Sequence, residues 1–192
     1  MQLRGNGMAI RIRTKKAEGN YDVGLSKMLG NPVLPEGMDE SLPSTAMFLM
    51  QIRLEDIKGL DEENVLPHTG YLYFFLDTEN GPYSLTPIVI FYNGEPTHHI
   101  DGFNDIVDGF EKYNQDFLIE FEKCDDEEDG NKLLGHPSDW QYQETNDRLL
   151  FQLDPLDCEE MDLFSTLDGF LYFFFDGDEI DFSKVKLIED IS

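Results

Sequence analysis

Within 192 residues the chain writes nearly the same octapeptide twice, GYLYFFLD at 70–77 and GFLYFFFD at 169–176. In an extended strand, alternate side chains face opposite sides. Tyr71, Tyr73 and Phe75 then share one face, and Leu72, Phe74 and Leu76 share the other. The second copy sets Phe170, Tyr172 and Phe174 against Leu171, Phe173 and Phe175. Apolar residues on both faces predict strands covered on two sides. Asp77 and Asp176 close the runs, as a residue type depleted within strands should.

The octapeptide belongs to a longer repeat. SKMLGNP (26–32) and FLMQIRL (48–54) precede the first copy; NKLLGHP (131–137) and LLFQLDP (149–155) precede the second. Another strand-like run follows each, TPIVIFY (86–92) and SKVKLIE (183–189). Two copies are too few for a solenoid and suggest similar halves sharing one core. The expectation is a single domain over 1–192, with halves at about 26–92 and 131–189 and an acidic connector at 124–131, CDDEEDGN. At this length roughly 70% of the unfolded chain's surface can be buried. Further strands are expected at 9–13 and 116–122, and short helices around 53–61, 104–114 and 157–164. The fold class read from this pattern is α+β: a sheet-rich single domain of two duplicated halves, with central aromatic strands and a few short helices.

Charge narrows the partners. The formal net charge is −26. Residues 1–27 carry +4 and residues 28–192 carry −30. Such a surface repels nucleic-acid phosphate and would steer in a basic protein. No stretch approaches the ~20 apolar residues of a membrane span, and the first residues lack the apolar core of a signal peptide. A cytoplasmic protein is expected, with no membrane or nucleic-acid partner. Cys124 and Cys158 both sit among carboxylates, which disfavour a thiolate, so both read as free thiols.

Recognisable catalytic and cofactor patterns are not evident. No Walker loop, dinucleotide fingerprint or nucleophile elbow occurs. Asp125, Glu127, Asp129 and Gly130 fit the start of a calcium loop, but its twelfth position is His136 rather than a bidentate carboxylate. DGDEID (176–181) reads as a solvated turn, and adjacent His98 and His99 read as surface loop rather than a zinc pair. No metal, cofactor or catalytic residue is assigned. Gln51 and Gln152 each stand inside an apolar run, and burying an amide without partners costs about 1–3 kcal/mol. Each is therefore expected to bond the backbone of its LGxP turn or to line a cleft between the halves. Trp140 and Tyr142 would add an aromatic rim to such a cleft, beside His136, where the first copy has Asn31.

The ordered set Ser26, Lys27, Gly30, Pro32, Leu34 and Pro35; Gln51; Gly70 to Phe75; Leu133 to Pro137 with Gln141 or Gln143; and Leu149 to Asp154 resembles the YwqG-like bacterial family of unknown function. The closing GDEIDFSKVKLIED is similar as well, so the likeness runs from about residue 9 to the end. Two departures are Leu29, where the family usually has the first of two glycines, and EGMDESLP (36–43), which lacks its tryptophan-proline. The resemblance implies an α+β fold built from a duplicated sheet-rich motif and carries no established activity. Together with the charge, it points to a non-enzymatic protein-binding module, in one version an immunity-like protein that docks a basic partner. The alternative is a small-ligand binder or enzyme with a cleft between the halves.

Overall fold

The computed structural model describes residues 8–81, 84–106, 109–126, 128–139, 146–157 and 169–191. Among the described residues, ten strands form one antiparallel sheet. Its middle is the long pair β1 (Met8–Lys16) and β8 (Phe117–Asp125). On one side follow β2 (Lys27–Met28), β4 (Ala46–Arg53), β5 (Tyr71–Asp77) and β6 (Thr86–Tyr92). On the other side follow β9 (Lys132–Leu133), β10 (Leu149–Leu153), β11 (Gly169–Phe174) and β12 (Lys186–Ile191). Strands β3 (Val33–Leu34) and β7 (His98–His99) make a separate two-stranded ribbon.

The sheet curls until its edges face each other. The Leu85 amide donates to the Glu189 carboxylate at 2.8 Å, and the Phe91 ring lies 5.9 Å from Phe182. Inside the curl, Phe74 from one side meets Phe151 and Phe173 from the other at 5.4 and 5.7 Å. Leu72, Leu76, Leu171 and Phe175 join that inner core. The outer face of β4 and β5 carries Phe48, Tyr71, Tyr73 and Phe75 under Leu34 and Phe103. Leu149, Tyr172 and Phe174 form a matching cluster outside β10 and β11. The alternation read from the octapeptides is thus the division between inner and outer faces. Each octapeptide strand is paired on both sides but lies one strand in from a sheet edge; the centre belongs to β1 and β8.

The expected α+β class is incorrect: the protein is nearly all sheet. Among the described residues the one α-helix is Met38–Ser41, a single turn. The helices expected at 53–61 and 104–114 shrink to 3-10 turns at Leu54–Asp56, Phe103–Ile106 and Glu111–Asn114. Segments this short cannot recover the cost of helix nucleation, and Gly59 and Gly109 interrupt the expected runs. The expected segment at 157–164 lies almost wholly outside the described residues.

Candidate functional site

The site is assembled from two turns that share one backbone conformation. In the first, Leu29 and Gly30 adopt left-handed φ angles of 55° and 78°; in the second, Leu134 and Gly135 adopt 61° and 75°. A bulky residue at positive φ is strained, which explains why a glycine suits the position Leu29 occupies. The Leu29 amide donates to Leu49 O at 2.8 Å and the Leu134 amide to Leu150 O at 3.1 Å. Leu49 and Leu150 lie where the pairing of β4 and β10 with their neighbours shifts register.

Gln51 and Gln152 hold these turns to the sheet, and both are fully buried. Gln51 Oε1 accepts from the Val33 amide at 3.0 Å, while its Nε2 donates to Val23 O and Leu25 O at 3.1 and 2.9 Å. Gln152 Oε1 accepts from the Ser138 amide at 2.9 Å, and its Nε2 donates to Gly130 O at 2.8 Å. Both side chains thus bond backbone that flanks the LGxP turns rather than the turns themselves, and neither lines the cleft described below.

Two buried lysines sit beneath the turns. Lys27 is fully buried and its Nζ lies 2.7 Å from Asp116 Oδ2. Asp116 also accepts from the Asn31 amide at 2.8 Å, and Lys27 Nζ donates to Asn31 O. Lys132, equally buried, meets only carbonyls among the described residues: Asp126 O at 2.7 Å and Glu128 O at 2.6 Å. The reason lies in the neighbouring strand. A Cβ on Gly30 would overlap the Asp116 carboxylate, whereas one on Gly135 would meet the Ala9 side chain at 2.8 Å. Ala9 thus stands beside the second turn where Asp116 stands beside the first. Burial lowers the pKa of both lysines, opposed at Lys27 by Asp116. At Lys132 the value falls to about 8, with Cys124, Asp126, Asp129 and Glu128 acting against the shift.

Beside the second turn opens a cavity of about 510 Å³. Its floor includes Ile10 and Leu134, and its walls come from distant parts of the chain. Leu60, Asp61, Glu62, Glu63 and Val65 face it from the loop after β4; Asp126 and His136 from around β9; and Asp147, Arg148 and Asp178 from the turns flanking β10 and β11. Six carboxylates therefore surround one guanidinium and one imidazole. Asp61 is almost completely buried and fixes its own loop by accepting from the Val65 and Leu66 amides at 3.1 and 2.8 Å. Asp126 Oδ2 lies 2.8 Å from His136 Nδ1 and orients the ring, while the His136 amide donates to Asp126 O at 3.1 Å.

Of the residues singled out in the sequence, His136 lines this cavity. Trp140 and Tyr142 lie outside the described residues. Asp178 belongs to DGDEID (176–181), read from the sequence as a solvated turn, and it lines the cavity as well. Nothing in the local sequence of the loop 60–65, Asp147 or Arg148 distinguishes them from other surface charges. Their significance comes only from the curl of the sheet. Cys124 is a buried free thiol whose pKa is raised by burial first and by Glu128 next. Cys158 lies outside the described residues. His98 and His99 are exposed on the small ribbon. Among the described residues no cluster of three His, Cys, Asp or Glu side chains has a geometry that could hold a metal ion, and no helix is long and apolar enough to cross a membrane.

Residues 26–98 match a family described as Domain of unknown function (DUF1963). The match begins at the first turn, takes in Lys27, Gln51 and the first octapeptide, and ends on the small ribbon. It is thus similarity to an uncharacterised family over the first half of the repeat. No curated protein matches the chain.

Proposed function

We propose that this protein is a YwqG-like, non-enzymatic binding module whose acidic cleft seats a basic segment of a protein partner. The observation that carries the reading is the convergence of Asp61, Glu62, Glu63, Asp126, Asp147 and Asp178 on one cavity. A chain of net charge −26 would draw a cationic partner toward it from a distance. Lys or Arg side chains entering the cleft would find carboxylates already held by the fold, as Asp61 is by two backbone amides. An immunity-like role, in which the bound partner is a basic toxin, is one form of this reading.

The test is recovery of the partner from the native host, followed by association and dissociation rates over a salt series. Association should slow steeply with salt while dissociation changes less. The double substitution Glu63→Lys with Asp178→Lys should slow association at low salt by roughly tenfold. An acidic partner, or an association rate indifferent to salt, would overturn the reading.

One observation favours a second reading, a small-ligand binder or enzyme. The Asp126 carboxylate orients the His136 ring at a cavity that also holds Arg148. An imidazole oriented in this way is the arrangement that general-base chemistry uses. Under this reading a small anion should perturb the His136 and Arg148 resonances without any protein partner, and Arg148→Ala should abolish that response.

A further inference from the structure

Beneath the same cleft wall lies a charge without a counter-ion among the described residues. Lys132 is fully buried, and among the described residues no carboxylate lies within ion-pair distance of its Nζ. From β1 comes Arg11, its partner across the pairing, whose guanidinium already holds Asp157 at 2.7 Å and bonds Asp129 O. From β10 comes Gln152, committed to Ser138 and Gly130. From the end of β8 comes Cys124, and from the segment beyond it the carboxylates of Asp126, Glu128 and Asp129. None of these neutralises the ammonium as Asp116 does for Lys27.

The carbonyl of Asp126 links this buried amine to the cleft. It accepts both the Lys132 Nζ and the His136 amide, while the Asp126 side chain holds the His136 ring. The buried amine and the wall residue His136 thus share one acceptor. We propose that Lys132 is a proton-operated fastener of this wall: its neutral amine keeps the wall closed, and its ammonium favours a loosened form in which the charge reaches water.

The direction follows from linkage. In the closed form the Lys132 pKa falls to about 8; in a form where water reaches the amine it returns toward the ordinary 10.5. Between those values the loosened form binds more protons, so lowering the pH favours it and raising the pH favours closure. The device does not depend on the identity of any partner, and its test needs none.

The measurement is the hydrogen-exchange protection factor of the His136 amide, corrected for the intrinsic rate, from pH 7 to 9.5. In the native protein it should rise by up to about thirtyfold across that range. In Lys132→Met, which has no proton to lose, it should be independent of pH. Should Lys132→Met not fold, Lys132→Arg remains charged throughout the range and should show low, flat protection. A flat profile in the native protein, a fall with rising pH, or a rise that persists in the folded Met or Arg variant would overturn the proposal.

Discussion

The two halves solve one problem in two ways. Each buries a lysine under a Leu-Gly-x-Pro turn, pins the turn with a glutamine and holds two left-handed residues against a register shift. In the first half the charge is matched by Asp116, reaching over Gly30 from the start of β8. In the second half the matching place holds Ala9, and the ammonium relies on two carbonyls. Similar backbones therefore surround a closed ion pair on one side and a perturbed, titratable amine on the other. The cleft lies beside the second. The comparison teaches that the repeated turn is a scaffold whose rigidity depends on the residue a neighbouring strand places beneath it.

The largest test removes the counter-ion. Asp116→Ala should lower folding stability by about 3–5 kcal/mol, because it strands the fully buried Lys27 charge, as urea unfolding would show. A loss under 1 kcal/mol would mean that Lys27 is no more dependent on its partner than Lys132 is. Adding a methyl group at the turns comes next. Gly30→Ala must displace the Asp116 carboxylate as well as strain the backbone, and should cost about 3 kcal/mol or more. Gly135→Ala, facing Ala9 and the Asp126 carbonyl at 2.8 and 2.9 Å, should cost about 1–3 kcal/mol. Equal losses would break the asymmetry.

Gln51→Leu and Gln152→Leu should each lose about 1–3 kcal/mol in thermal or urea unfolding. Gln51 should lie at the upper end, since its amide nitrogen serves two carbonyls where that of Gln152 serves Gly130 O. The smallest effect is expected at Lys132→Met. Removing a buried charge with no counter-ion among the described residues offsets the two carbonyls left without a donor, so stability at pH 7 should change by less than about 1 kcal/mol. The pH dependence sharpens this. The folded pKa of Lys132 is depressed to about 8, so native stability should gain from this group as pH rises from about 8 toward 10.5. The Met variant should lose that increment.

Much of the fold could be read from local pattern. The octapeptides, with period-two alternation and apolar residues on both faces, specified strands, their two faces and their pairing on both sides, because a strand's burial is written in its own residues. Gln51 and Gln152 announced their backbone bonds because an amide inside an apolar run must find partners nearby. The helical segments misled because Asp and Asn suit turns as well as helix starts, and the sheet claimed the surrounding chain. Tertiary structure alone decided the rest. No local signal says that Ala9 and Asp116 occupy corresponding places, since they lie 107 residues apart and are brought into correspondence only by the pairing of β1 and β8 with β9 and β2. Nor does local sequence gather Glu63, Asp126 and Asp178 around one cavity. Strand identity is a property of neighbours in sequence, while charge pairing and the cleft depend on how a curled sheet brings distant residues together.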